Sequence, residues 1–133
     1  MSSTLEKTDR KMILVVDDNR DAAATLGMFL KLKGYRAHTC YGGREALEVI
    51  EDIRPDLVIL DLAMPDQDGY QTAALLRTNQ GLSIPLIALS GYGQEEDRRR
   101  TADAGFDAHL VKPVDFAELI DLLGTMLPDT PQN

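Results

Sequence analysis

Five polar residues each stand at the end of a short apolar run. Asp17 and Asp18 follow Met12-Ile13-Leu14-Val15-Val16, and Asp61 follows Leu57-Val58-Ile59-Leu60. Ser90 follows the run from Ile84 to Leu89, and Lys112 follows the run from Ala108 to Val111. Three carboxylates brought together repel one another and require a countercharge. An all-oxygen donor set favours a hard cation, and Mg²⁺ commonly keeps several waters while using one or two carboxylates. Lys112 would add a second positive charge. Any one of these acids has a plainer reading, because strand ends are exposed and Asp often caps the helix or turn that follows. Only the combination points to a site, and it does so only if the fold makes the five converge.

Convergence depends on the elements between them. Met12 to Val16 is a continuous apolar run, as expected of a strand buried on both faces. A helix follows to about Lys33, with Ala23, Leu26, Phe29 and Leu30 on one face and Gly34 at its stop. Tyr35 to Cys40 is shorter, with Arg36 and His38 interleaved, and suits an edge strand. Gly42-Gly43 opens a second helix to about Ile53, directing Ala46, Val49, Ile50 and Ile53 inward; Pro55 ends it. Leu57 to Leu60 is the next buried strand and reaches Asp61. Leu62 to Gly69 contains Pro65 and Asp68-Gly69 and reads as a loop, then Tyr70 to about Asn79 as a helix. Ile84 to Leu89 is a strand with Pro85 near its start, where a missing donor is tolerated. Ser90-Gly91-Tyr92-Gly93 turns into a charged helix that stops at Gly105. Ala108 to Val111 is a last short strand, and Phe116, Leu119, Ile120, Leu123 and Leu127 trace a final amphipathic helix.

Strands and helices in strict alternation imply an α/β fold, a parallel sheet covered by helices on both faces. Right-handed crossovers then bring the carboxyl ends of all the strands to one edge, where open α/β sheets bind ligands.

The chain has 133 residues, enough for one domain with its own core. Its 44% hydrophobic and 27% charged residues are ordinary for a globular protein, and no apolar run is long enough to cross a bilayer. The N-terminal stretch MSSTLEKTDRK is polar and lacks the apolar core of a secretory signal, so a cytoplasmic location is expected. Cys40 is the sole cysteine, which excludes an internal disulfide and reads as a small packed hydrophobe. The net charge of −8 argues against nucleic-acid binding. The one dense basic run, Arg98-Arg99-Arg100, is matched at helical spacing by Glu95 and Glu96, as on a solvated helix face.

These motifs together resemble the response-regulator receiver domain of bacterial two-component signalling. The resemblance rests on Asp17-Asp18 in VVDDN, Asp61 in ILDLAMPDQDG, Ser90 in ALSGYG and Lys112-Pro113 in LVKPV, and it covers about Lys11 to Leu127. It implies a flavodoxin-like (βα)5 three-layer sandwich with a parallel five-stranded sheet in the order 2-1-3-4-5. Residues 1–10 and 128–133 then read as tails around a receiver domain at 11–127.

The resemblance further implies phosphoryl transfer to Asp61 from a phosphohistidine on a histidine kinase or a histidine phosphotransfer domain. In-line transfer of this kind needs positioning and charge neutralisation more than acid–base chemistry. Asp18 and Asp61 would ligate Mg²⁺ directly, Asp17 through water, and the Ala63 carbonyl would complete the protein ligands. Ser90 would bond one phosphoryl oxygen and Lys112 another, with a cis Lys112-Pro113 bond fixing the lysine's approach. The output surface would span roughly 94–127 and act on a downstream protein. The family's reporting ring on the fifth strand is commonly Tyr or Phe, and here it is His109, which departs from the usual ring-burial switch. Ala63 and Tyr92 would tune the lifetime of the phosphoaspartate, giving slow self-dephosphorylation. His38 on the edge strand is not expected to donate.

Two rival classes meet specific obstacles. An Asp-nucleophile phosphatase of the haloacid-dehalogenase kind needs a second Asp two residues after the nucleophile, and Ala63 stands there. A binding module would be either a receiver that is never phosphorylated, which commonly lacks one of these acids or the lysine, or a flavin carrier, whose phosphate would be repelled by Asp17 and Asp18. The chain reads as a stand-alone receiver or a segment of a longer hybrid kinase. The stretch SGYGQEEDRRRTADAGFDAHLVKPV resembles receivers fused to sensor kinases more than those of DNA-binding regulators.

Overall fold

The computed structural model describes residues 10–62, 69–78, 83–91, 99 and 101–127. Its strands are β1 (Met12–Val16), β2 (Arg36–Cys40), β3 (Leu57–Asp61), β4 (Leu86–Ser90) and β5 (Ala108–Val111). They pair in parallel in the order β2-β1-β3-β4-β5. Helices α1 (Arg20–Leu32), α2 (Gly43–Ile53), α3 (Gly69–Thr78) and α5 (Phe116–Met126) alternate with them, and residues 101–103 are helical (α4). The flavodoxin-like order expected from the sequence is therefore present, with the polar β2 at an edge.

Three layers follow from how the strand residues divide between the two faces. Ile13, Val15, Leu57, Ile59, Ile87 and Leu89 pack with Ala23, Leu26 and Leu30 of α1 and Leu119 and Leu123 of α5. Their alternates Leu14, Val16, Val58, Leu60, Leu86 and Ala88 pack with Ala46 and Ile50 of α2 and Ala73 and Leu76 of α3. Both faces of β1 and β3 are thus apolar, which is why these strands read as unbroken hydrophobic runs. Each fully buried Val, Leu or Ile contributes about 1.5–3 kcal/mol, so this double-sided core carries the fold. Phe29 and Phe116 stack at 4.2 Å between centroids and join α1 to α5. Cys40 is fully buried in the second cluster, and burial first, then the charge of Glu45, pushes its thiol up to about 12.

The element ends have local causes. Asn19 caps α1, its side-chain oxygen accepting from the Ala22 N–H at 3.0 Å. Asp115 caps α5, accepting from the Ala117 and Glu118 N–H groups at 2.9 and 3.2 Å. α2 stops with Arg54 in the left-handed region at φ 48°, just before Pro55.

Several strand boundaries differ from the sequence expectation. β4 begins at Leu86 rather than Ile84. Pro85 has no N–H to give, and the Ile84 carbonyl is taken by the Arg77 guanidinium at 2.6 Å, so the ladder starts later. β4 and β3 also each run one residue further, so that Ser90 and Asp61 are strand residues. Phe29, Val49 and Ile53, expected inside, are only half-buried. Asn79, the tails at 1–9 and 128–133, most of the loop from 62 to 69, and Glu95, Glu96 and Arg100 of the expected helix pairs lie outside the described residues.

Candidate functional site

Backbone bonds fix the carboxyl edge before any side chain acts. The Asp17 N–H reaches the Cys40 carbonyl at 3.0 Å, the Leu62 N–H the Leu89 carbonyl at 2.9 Å, and the Lys112 N–H the Ser90 carbonyl at 2.7 Å. These continue the ladder past Val16, Asp61 and Val111, so the polar residues leave the sheet from held positions. Asp17 and Asp61 are 3% and 2% exposed, whereas Asp18 is exposed.

Oxygens of Asp17, Asp18 and Asp61 lie within 4.8 Å of one another. The Lys112 ammonium sits 2.9 Å from Asp61 Oδ2 and 3.5 Å from Asp17 Oδ2. Burial is the chief cause that raises the Asp17 carboxyl above its ordinary value, and the charge and hydrogen bond of Asp61 add to it. The Asn19 N–H at 3.0 Å and Lys112 offset only part of this. Burial works to lower the Lys112 pKa, but the bond and charge of Asp61, then of Asp17, outweigh it and hold the ammonium above its ordinary value. Two buried acids with one shared lysine remain short of positive charge. Their donors are all carboxylate oxygens, so the cluster fits a hard divalent cation such as Mg²⁺.

The capping alternative for Asp17 and Asp18 is resolved by Asn19, which caps α1 itself. Asp17 instead turns one oxygen to the Asn19 N–H and leaves the other toward Lys112. The Lys112-Pro113 peptide is cis, as the resemblance implied. A groove of about 670 Å³ opens beside Asp17 and Lys112, between Asp21 and Thr25 of α1 and Pro113 and Phe116.

Ser90, 6% exposed, ends β4 one residue past Leu89, the register partner of Asp61. Its hydroxyl lies 2.5 Å from His109 Nε2, and His109 Nδ1 lies 3.5 Å from Thr101 Oγ1 on α4. His109 is half-buried. Ala63 and Tyr92, singled out as tuning residues and in the case of Ala63 as a carbonyl ligand, lie outside the described residues. His38 is on β2, at the far edge of the sheet from β5.

Two contributors were not singled out by the sequence. One is the Ser90–His109 bond. Val111 pairs with Ser90, and the two-residue period of β5 puts His109 on the same face as Val111; only the β4–β5 register reveals this. The other is Gly69. A Cβ there would lie 2.7 Å from Leu62 Cα and 2.8 Å from the Asp61 carbonyl oxygen, so α3 starts against the peptide that carries Asp61. The dipeptide Asp68-Gly69 signalled a turn but not this close approach.

With this geometry in place, similarity to known proteins is specific. The sequence model of the response regulator receiver domain matches residues 13–124. An uncharacterised 14.6 kDa protein of the sodA1 3′ region of Leptolyngbya boryana is 39% identical over 84% of this chain and 86% of its own length. The transcriptional regulatory protein PrrA of Mycobacterium leprae is 37% identical over 86% of this chain but 49% of its own, so the chain spans about half of that relative. Among solved structures, the chemotaxis protein CheY4 of Vibrio cholerae superposes with a TM-score of 0.84 at 27% identity, over 89% of this chain and 99% of that one. Sequence and backbone agree along nearly all of the folded chain, and it belongs to the response regulator receiver domain family of two-component signalling.

Proposed function

We propose that Asp61 accepts a phosphoryl group from the phosphohistidine of a histidine kinase or a histidine phosphotransfer domain, and that the phosphoaspartate is the signal. The observation that carries this reading is the Lys112 ammonium 2.9 Å from Asp61 Oδ2, with the oxygens of Asp17 and Asp18 within 4.8 Å. In the transfer the P–N bond of the donor breaks and a P–O bond to the Asp61 carboxylate forms; the departing imidazole keeps the electron pair. A buried carboxylate against a lysine is positioned for this in-line displacement and needs no general base. Asp18 and Asp61 would hold Mg²⁺ directly and Asp17 through water, with the Ala63 carbonyl as a further ligand. Bound there, Mg²⁺ supplies charge neutralisation for the carboxylates and the phosphoryl oxygens. Lys112 and Ser90 take the phosphoryl oxygens.

The receiver domain occupies 11–127 between two tails, and it acts as a phosphoacceptor rather than as an enzyme on outside substrates. The phosphorylated state would be read by a downstream protein at the surface built from 94–127, with a slow return set by Ala63 and Tyr92. A net charge of −8 argues against a nucleic-acid partner. No helix among the described residues is long and apolar enough to cross a membrane. We place the chain in the cytoplasm, where the ATP that charges histidine kinases is found.

Acetyl phosphate tests the reading. The wild type should become labelled in Mg²⁺ and fail to do so in EDTA, and Asp61→Asn should remain unlabelled in both. Labelling of the variant, or equal labelling in EDTA, would overturn the assignment.

A further inference from the structure

Arg20 is the first residue of α1, two positions after Asp18, and it is exposed. A cation there faces the positive end of the helix, a place that favours an acid. Its guanidinium lies 4.0 Å from the centroid of the Tyr41 ring. Among the described residues no carboxylate pairs with it within 4.0 Å, although Asp18 and Asp21 flank it in the chain. Tyr41 is itself held in place. Its N–H donates to Glu45 Oε1 at 2.9 Å, and its side chain packs against the core shared by α1 and α5. A guanidinium stacked by its face on a ring still presents its N–H groups along its edge, in the fork that fits phosphate or carboxylate oxygens.

The pair stands beside the acids. Tyr41 follows Cys40, whose carbonyl takes the Asp17 N–H, so ring and arginine lie on the β2 side of the cluster. Three residues separate Arg20 from Asp17, so their Cα atoms are at most about 11 Å apart. Lys112 reaches the same acids from the β5 side and is engaged by Asp61 and Asp17. We propose that Arg20 captures the phosphodonor: held by Tyr41, its guanidinium takes an anionic oxygen of the incoming phosphoryl compound at the rim, before the group reaches Asp61.

The inference rests on the phosphoacceptor reading above and adds the encounter that precedes transfer. A phosphoryl donor is negatively charged, and it must enter past Asp17, Asp18 and Asp21 on a chain of net charge −8. A fixed cation among those acids eases its approach over about a Debye length. The effect belongs to encounter and not to the transition state. It therefore changes the second-order rate and leaves the rate at saturating donor alone. Tyr41 keeps the charge available. Without the ring, the guanidinium is released to swing toward Asp18 or into solvent, and a mobile cation attracts the donor less.

The test follows label incorporation from acetyl phosphate into the full chain with saturating Mg²⁺, over donor concentration and ionic strength. At about 0.01 M ionic strength Arg20→Gln should lower the second-order rate about three- to fivefold. At about 1 M, where the Debye length is about 3 Å, variant and wild type should converge. The rate at saturating donor and the Mg²⁺ affinity should not fall. Tyr41→Leu should lose second-order rate at low salt although the charge is kept. Lys31→Gln, which removes an exposed charge from the last turn of the same helix, should lose less than about twofold. Equal rates for Arg20→Gln and wild type at low salt, a deficit that persists at high salt, or an equal deficit in Lys31→Gln would overturn the capture role and leave the acceptor assignment standing. A normal rate in Tyr41→Leu would overturn the part given to the ring. A wild type that takes no label in Mg²⁺ would overturn the phosphoacceptor reading and this inference with it.

Discussion

The two sides of the carboxyl edge are held by different forces. On the β1–β3 side, Asp17 and Asp61 are buried together with Lys112 as their cation, and strain between like charges dominates. On the β4–β5 side, Ser90, His109 and Thr101 are joined by side-chain hydrogen bonds whose donor and acceptor roles follow the histidine tautomer. The contrast suggests a division of labour. The charged side stores attraction for a cation, because its acids are underneutralised. The hydroxyl side has no carboxylate or ammonium to contribute, and what its hydroxyls can offer a ligand is hydrogen bonds.

Substitutions should separate the two sides. Lys112→Met should have the largest effect, because it leaves Asp17 and Asp61 buried without their ammonium. Phosphorylation of Asp61 by acetyl phosphate should slow on the order of a hundredfold, the scale for losing one preorganised charge partner, as read by label incorporation. Gly69→Ala should come next. Its Cβ meets backbone at 2.7 Å, so the start of α3 or the Asp61–Leu62 peptide must shift. We expect a loss of about 1–3 kcal/mol by urea denaturation, with weakened Mg²⁺ binding.

Asp17→Asn should act in the opposite sense on the metal-free protein. Burial, then the charge of Asp61, keeps the Asp17 carboxyl above its ordinary 3.8. A group raised by folding contributes stability that is fully present below its unfolded pKa and lost as pH rises through the folded value. The metal-free wild type should therefore lose stability relative to Asp17→Asn from acid toward neutral pH, and Mg²⁺ should reverse the order at neutral pH. Urea unfolding across that range measures this, and a constant difference would break the charge account of the β1–β3 side. Thr101→Val should be the mildest change. Its link to His109 is 3.5 Å long, so the loss of stability should stay below about 1.5 kcal/mol with Mg²⁺ binding unchanged.

The charged side was legible in the sequence; on the hydroxyl side Ser90 and His109 were legible as residues but the bond between them was not, for a physical reason. Asp17, Asp18, Asp61 and Lys112 each end an apolar run, and a parallel sheet must bring those ends to one edge. Their meeting follows from topology alone. The bond from Ser90 to His109 depends on the β4–β5 register and on side-chain rotamers, which hydrophobic periodicity does not encode. The start of β4 at Leu86 depends likewise on Arg77 reaching the Ile84 carbonyl, a contact between elements. The edge position of β2 was visible in Arg36 and His38, while the close approach of Gly69 to Asp61 was hidden behind an ordinary turn signal.

The most direct test of the account is to locate the phosphoryl group. After treatment with acetyl phosphate and Mg²⁺, borohydride reduces an aspartyl phosphate to the corresponding alcohol, and peptide mass spectrometry finds the altered residue. The account predicts a single reduced carboxyl, at Asp61, in the wild type and none in Asp61→Asn. Reduction at Asp17 or Asp18, or a phosphoryl group that resists borohydride as a Ser90 ester would, contradicts it.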